Sequence, residues 1–309
     1  MSAANTPDKG PPVGSTRGPS RWLPSYELRM LLPALLLLAA ISLFPFFYII
    51  YMSFNEVALI GGVDFEWVGL ENWTLLVTDP DVRSSWIVSG IYFVTTVGLE
   101  MVLGIAVALL LHETIWGKNL ALSVMLMPMF VAPVIVGLLG RFLVDSTYGL
   151  YAWFLDRTGL ITWEILGSKG SALAAVILMD VWEWTPLIVL IVLAGLSSMP
   201  QPVLEAAKVD GANYLQRLRH IVGPLISGVV IVALLVRSMD AIRYYDIIAI
   251  TTNGGPADAT KVIPIRLYET AFRFQELGYA AAIGLSMLAF SILVANLFMR
   301  ILKQQGLAR

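Results

Sequence analysis

Asp180, Glu183 and Leu187 stand at i, i+3 and i+7 in an otherwise apolar stretch, and Arg237, Asp240 and Tyr244 repeat that spacing in another. On a helix such a spacing puts three side chains on one face. Carboxylates, a guanidinium and a phenol so arranged can bind a hydroxyl-bearing solute, relay a proton, or pair with one another. "WEWTP" at 182–186 sets Trp182 and Trp184 beside the acids. An indole stacks on the flat face of a sugar, but in a membrane helix it also serves as an interface anchor or as packing. Other chemistry is poorly supplied. The chain has no cysteine, so it offers no disulfide, thiolate nucleophile or cysteine metal site. His112 and His220 are the only histidines, with no metal-ligand partner near either. No Ser-His-Asp set is available, and "GSKGS" at 167–171 lacks the spacing of a phosphate loop. No catalytic, cofactor-binding or metal residue is expected.

The elements that must hold these residues are membrane helices. The 309 residues are 58% hydrophobic and 14% charged, with a mean hydropathy of +0.77, far from the balance of a soluble domain. A net charge of −2 argues against nucleic acid as a partner. Six apolar runs are long enough to cross a bilayer, at 30–53, 86–111, 119–143, 172–196, 224–250 and 279–301. Only helices satisfy an open chain's backbone in lipid. Pro33, Pro45, Pro128, Pro133, Pro186 and Pro224 lie in or at the ends of these runs and predict kinks. Residues 1–28, rich in Gly, Pro and Ser, read as a disordered tail before a permease domain at 29–304 and a short tail at 305–309. With six spans both termini share a side. That side carries Lys9, Arg17, Arg21, Arg29, Lys118, Lys208, Arg217, Arg219, Arg300, Lys303 and Arg309. The opposite loops carry only Arg83, Arg157, Lys169, Lys261, Arg266 and Arg273. The first side is therefore expected to be cytoplasmic.

Eight ionisable residues fall within these runs: Glu100, Arg141, Asp180, Glu183, Arg237, Asp240, Arg243 and Asp246. A charge at the centre of a lipid-exposed helix costs roughly 2.5–3.5 kcal/mol, whereas a Leu returns only about 0.3–0.6. These groups are therefore expected to face protein, water or each other. Arg141 and Asp246 lie near enough to the interface to snorkel. The others leave two readings, a pathway for a polar solute and a buried ion-pair network, Asp180 or Glu183 to Arg237, that fixes helix register. At the level of the whole protein, an ion-coupled carrier using Asp180, Glu183 or Asp240 as a proton relay is one alternative. Carriers show broken helices and inverted repeats, and neither is visible in the sequence. A non-transporting scaffold subunit is the other.

The most polar internal stretch, 197–223, joins the fourth and fifth runs. Pro200 and Pro202 stop the fourth helix. "VLEAAKVD" at 203–210 then reads as a two-turn helix with Val203, Ala206, Ala207 and Asp210 along one face, ending at Gly211. "ANYLQRLRHIV" adds a second amphipathic pattern before Gly223-Pro224 opens the fifth run. A helix lying on headgroups would want bulky apolar anchors. Ala206, Ala207 and Gly211 instead permit a close approach by another surface.

"EAAKVDGA" followed by "IVGP" resembles the EAA loop of permease subunits of binding-protein-dependent ATP-binding-cassette importers of type I. That pattern is Glu-Ala-Ala, three residues, Gly, nine residues, then Ile-x-Leu-Pro. Glu205, Ala206, Ala207, Gly211, Ile221 and Pro224 match it, and Gly223 stands where Leu is usual. "ENW" at 71–73, "RSMDAIRYYDIIAITTNGGP" at 237–256 and "ETAFRFQELGYAAAIG" at 269–284 resemble the sugar and polyol branch, which includes maltose and trehalose permeases. The resemblance covers about 30–305 and implies an all-α, six-helix permease. It implies that Glu205, Ala206, Ala207, Asp210 and Gly211 form a coupling helix docked on a cytoplasmic ATPase, which uses ATP and Mg while this chain binds neither. It also implies a second permease subunit, two ATPase copies, an extracytoplasmic solute-binding protein, and a bacterial inner membrane with its lipid. Aligned on Pro186 and "TNGGP", the sugar-contact positions fall on Asp180, Glu183, Trp184, Leu187, Arg237, Asp240, Ala241 and Tyr244. The residue types there differ from the amide-rich maltose site.

Overall fold

The computed structural model describes residues 26–58, 62–113, 116–159 and 164–304. The tails assigned to 1–28 and 305–309 lie outside the described residues, except that the first helix already begins at Tyr26. The chain divides into two units, residues up to Tyr48 and residues from Ile49 onward. The first unit holds most of α1 (Tyr26–Met52), an apolar helix with Pro33 and Pro45 inside it. The second unit contains everything described below.

Among the described residues, five helices are long and apolar enough to cross a bilayer, and a sixth is counted only if a pair bent by 94° is taken as one broken span. The second unit opens with an antiparallel hairpin, β1 (Asn55–Ala58) and β2 (Asp64–Trp67), in which Asn55 pairs with Trp67 and Ala58 with Asp64. A short helix, α2 (Glu71–Thr78), leads to α3 (Pro80–Glu113), which starts six residues before the run read from the sequence. Further on, α7 (Lys169–Ser197) and α10 (Gly223–Ala241) complete the centre of the bundle with α3, and α13 (Leu277–Gln304) closes the chain.

The third apolar run is not one span. It breaks into α4 (Lys118–Leu126), a 3-10 turn (Pro128–Phe130) and α5 (Pro133–Leu143), and the two halves meet at 94°. The sequence shows kinks and no break, but two prolines five residues apart do more than kink. Each removes a backbone donor, and Pro133 forces Ala132 into an extended conformation (φ −64°, ψ 137°). Between α5 and α7 a short helix, α6 (Leu150–Arg157), lies outside the long helices.

The fifth run is also redrawn. Its helix begins upstream, at α9 (Tyr214–Arg217), and passes through a π turn (Leu218–Val222) directly into α10. Pro224 explains the π turn. A proline in a helix clashes with the carbonyl four residues back, and widening the turn so that Gly223 N–H bonds the Leu218 carbonyl makes room for it. The helix ends at Ala241, not 250. The chain turns through 242–245 with Arg243 side chain 75% exposed. It then enters α11 (Asp246–Thr251), where Ile247 and Ile248 are fully buried. The outer segment continues with α12 (Ile263–Tyr268) and a second π turn at Glu269–Arg273.

The core lies where α3, α7 and α10 meet. Met101, Ala108 and Leu111 of α3 pack on Ile188, Val192 and Leu196 of α7, with Ile226 and Ala233 of α10. Gly104 permits this approach, since a Cβ there would stand 2.6 Å from the Ile188 side chain. Gly137 does the same where α5 meets α11, its Cβ position lying 3.2 Å from the Ile247 backbone. A second core cluster joins Tyr92 of α3, Val176 and Val181 of α7, Tyr244, and Ile247 and Ile248 of α11. It seats the turn at 242–245 against the middle of the bundle.

Candidate solute passage and coupling loop

Three long helices converge on Arg237, which is wholly buried. Its Nε donates to Glu100 Oε2 at 2.6 Å and its Nη2 to Glu100 Oε1 at 3.0 Å, a bidentate pair. Nη2 also donates to Asp180 Oδ2 at 2.5 Å, and Nη1 to Asp240 Oδ2 at 3.0 Å. Its Cζ lies 5.6 Å from the ring centres of both Trp184 and Tyr244, within cation–π range. The guanidinium therefore ties α3, α7 and α10 together through carboxylates and rests among aromatic rings.

Two tyrosine hydroxyls extend the network. Tyr92 donates to Asp180 Oδ2 at 2.7 Å, and Tyr244 donates to Glu183 Oε2 at 2.8 Å. The two rings stack with centres 6.3 Å apart. An apolar cavity of about 160 Å³ borders them, lined also by Trp86, Phe93 and Phe290. Asp180 Oδ1 and Glu183 Oε1 are buried and make no hydrogen bond among the described residues.

The structure thus joins Asp180, Glu183, Trp184, Arg237, Asp240 and Tyr244 into one polar centre. Of the pairings considered for Arg237, it forms the one with Asp180, while Glu183 goes to Tyr244. Tyr244 reaches the centre from the turn after α10, not from the helix face its spacing implied. Ala241 is buried in the apolar core and contributes a methyl there. Leu187 is partly exposed one turn beyond Glu183 on α7. Asp240 is the edge of the network, with its side chain 34% exposed and Arg243 at 3.8 Å on its outer side. Arg141 and Asp246 are exposed and apart from the network, as snorkelling charges would be.

Glu100 and Tyr92 belong to the site although spacing did not group them with it. They share one buried face of α3 with Thr96 at i, i+4 and i+8, but periodicity groups residues within a helix and not between helices. The cost of a lone buried carboxylate is the signal that calls for a cation at Glu100.

The loop between α7 and α9 holds α8 (Gln201–Val209), with Pro202 in its first turn. Gly211 has φ +76° and ends the helix in the left-handed region. Its N–H bonds the Lys208 carbonyl at 3.1 Å, and the Ala212 N–H bonds the Ala207 carbonyl at 3.0 Å. Asn213 and Gln216 then form a reciprocal capping box for α9, at 2.8 and 2.9 Å. Glu205, Ala206, Asp210 and Gly211 are exposed. Ala207 is not on their face. It is 6% exposed and turned inward with the partly buried Leu204, which stands three residues before it. The small residues therefore split, Ala206 outward and Ala207 toward the bundle. Between α8, α9 and the end of α3 lies a cavity of about 430 Å³, bordered by Glu205, Lys208, Arg217, His112 and Glu113.

On the side opposite this loop, Arg266 of α12 reaches Asp81 at 3.3 Å and Asp258 at 3.4 Å, and Lys261 bridges Asp258 at 2.6 Å and Glu269 at 3.0 Å. The hydrogen bond from Lys261 holds the Asp258 carboxyl below the usual carboxylate range.

Residues 100–305 match the family model described as "Binding-protein-dependent transport system inner membrane component". The chain is 33% identical to the trehalose/maltose transport system permease protein MalF of Thermococcus litoralis, over 86% of this chain and 89% of that one. It is 31% identical to the sulfoquinovosyl glycerol transport system permease protein SmoG of Agrobacterium fabrum, over 92% of this chain and 94% of that one. The fold matches a chain in the crystal structure of a bacterial alginate transporter in complex with an alginate-bound periplasmic protein. That match has a TM-score of 0.79 and 18% identity, and covers 90% of this chain and 94% of that chain. The chain belongs to the family of binding-protein-dependent transport system inner membrane components.

Proposed function

We propose that this chain is the permease subunit through which an ATP-driven importer passes a carbohydrate or polyol, delivered by an extracytoplasmic solute-binding protein. The observation that carries the reading is the polar centre on Arg237. Nothing in an apolar bundle requires three long helices to meet at a guanidinium and several carboxyl groups, and charged groups inside a membrane mark a polar path or its support. Asp240, Trp184 and Leu187 form the part open to a solute, and Asp180, Glu183 and Tyr244 stand directly behind them. Glu100, Tyr92 and Arg237 hold that wall in place. The names of the Thermococcus and Agrobacterium relatives support the carbohydrate class.

The energy enters at the loop. Glu205, Ala206, Asp210 and Gly211 present an exposed, small-residue face that fits a groove on a cytoplasmic ATPase subunit. Ala207 and Leu204 fasten that face to the bundle, so a push on α8 is passed to the helices holding Arg237. A second permease subunit completes the passage, and ATP and Mg are used by the partner. Both termini lie on the cytoplasmic side of the inner membrane in this reading, in line with the excess of Lys and Arg there.

Isolation of the tagged chain from membranes tests the proposal. One further permease, an ATPase and a solute-binding protein should accompany it after mild crosslinking. Mass spectrometry of the small molecule held by the binding protein should find a sugar or polyol. A complex without an ATPase, or an amino acid or metal as the bound solute, contradicts the reading.

A further inference from the structure

We infer that the passage beside this network selects on charge, admitting uncharged hydroxyl-rich solutes and rejecting anionic ones. The inference rests on the import reading above and goes beyond it. The relatives cover both chemistries: trehalose and maltose are neutral, sulfoquinovosyl glycerol carries a sulfonate, and alginate is acidic.

The network's buried cation is already enclosed by the protein's own acids. Arg237 has five N–H donors, and four hydrogen bonds from them go to Glu100, Asp180 and Asp240. Its side chain has no exposed surface, and Trp184 and Tyr244 flank it. An anion entering the passage would have to displace one of the protein's own carboxylates to reach it. The other nearby cation, Arg243, faces outward and stands against Asp240.

What the network turns toward a solute is acceptor. Asp240 is its exposed member, with side chain 34% open. Asp180 Oδ1 and Glu183 Oε1 lie buried behind it and make no hydrogen bond among the described residues. An exposed carboxylate such as that of Asp240 accepts the O–H of a sugar hydroxyl and repels a carboxylate or sulfonate. Trp184 adds a flat ring for the apolar face of the same sugar. From α3 the centre receives Glu100 and Tyr92, from α7 Asp180 and Glu183, and from α10 and its turn Arg237, Asp240, Arg243 and Tyr244. Four carboxyl groups therefore face one buried guanidinium.

The test needs no knowledge of the natural solute. Because the chain lacks cysteine, Leu187→Cys places one thiol on the α7 face beside the network. In the reconstituted transporter, with partner thiols replaced, its reaction rates with a trimethylammonium and a sulfonate methanethiosulfonate reagent are compared. Each rate is divided by that reagent's rate with free mercaptoethanol. A unit charge within about 10 Å in a partly dry site changes the local concentration of a monovalent reagent by about tenfold. The cationic reagent should therefore be favoured by tenfold or more. Adding Asp240→Asn should bring the ratio most of the way to parity. Parity in the parent, preference for the sulfonate, or a thiol unreactive to both overturns the inference. Sugar uptake is measured separately on the transporter with Leu187 intact, so uptake there together with parity at Leu187→Cys rejects charge selection and leaves the import reading standing.

Discussion

Replacing Arg237 by Met should destabilise the bundle severely, and the sign of a second substitution should show why. Met fills much of the volume but removes all four hydrogen bonds of the guanidinium. Glu100 and Asp180, both without exposed surface, are left near each other with no cation. Breaking a buried pair in this way costs about 3–5 kcal/mol, against total stabilities of about 5–15 kcal/mol for folded domains. Glu100→Gln alone should also destabilise, since it weakens the bidentate pair at 2.6 and 3.0 Å. In the Arg237→Met background, however, Glu100→Gln removes a stranded carboxylate and should restore stability. The double variant should be more stable than Arg237→Met by about 1–3 kcal/mol, a coupling of the size seen for groups in contact. Thermal melting of the four complexes in one detergent, followed by size-exclusion recovery, reads the cycle. Additive single effects, or a Glu100→Gln that worsens Arg237→Met, would refute the ion-pair account of this centre.

Tyr244→Phe keeps the ring stack with Tyr92 and the contact with Arg237 but removes the donor to Glu183 at 2.8 Å; uptake should fall while the complex assembles and melts within about 3 kcal/mol of the parent. Gly211→Val meets no atom within 4 Å, so its cost is backbone strain of about 1–2 kcal/mol at φ +76°. It and Glu205→Lys should insert and pair normally yet lose the ATPase subunit or solute-stimulated hydrolysis, whereas a helix lying on headgroups predicts hydrolysis unchanged. Single cysteines at Asp210 and Glu66 should label from opposite sides of intact cells, Glu66→Cys from outside, and outside labelling of Asp210→Cys ends the topology. On the outer face, the Asp258 carboxyl is held low by Lys261. A depressed carboxylate stabilises above its unfolded pKa and loses that contribution as pH falls through the folded one. Amide protection in 253–262, corrected for the intrinsic exchange rate at each pH, should therefore be high at neutral pH and fall only in acid below about pH 4, and Asp258→Asn should show lowered protection already at pH 7.

Much of this was legible in the residues. Asp180 and Arg237 had to find partners because charges in an apolar run cost more than the neighbouring leucines return, and the structure pairs them. Gly211 announced a helix end, and it adopts the left-handed conformation that glycine favours. What escaped depends on contacts between elements. Tyr92 and Glu100 lie with Thr96 on one face of α3, but their spacing does not say which helix they meet, and the approach of α3 to α7 at Gly104 brings them to the centre. Pro128 and Pro133 read as kinks, but their combined loss of donors turns one apolar run into two helices. Hydropathy carried the fifth run to 250 because α11 is as apolar as a span. The chain has already turned at 242–245, and that turn is what delivers Tyr244 to Glu183. Ala206 and Ala207 are adjacent, and a helical period of 3.6 residues points one outward and the other in.

In the import reading, a solute passes this polar centre on energy supplied at the loop by ATP. The direct measurement is uptake into proteoliposomes holding the purified complex, with ATP and Mg inside, the loaded solute-binding protein outside, and no ion gradient. The labelled solute is the one recovered from that binding protein. Accumulation is expected with ATP alone, none with a proton or sodium gradient alone, and loss of accumulation in Glu205→Lys. Uptake driven by the gradient without ATP would contradict that reading.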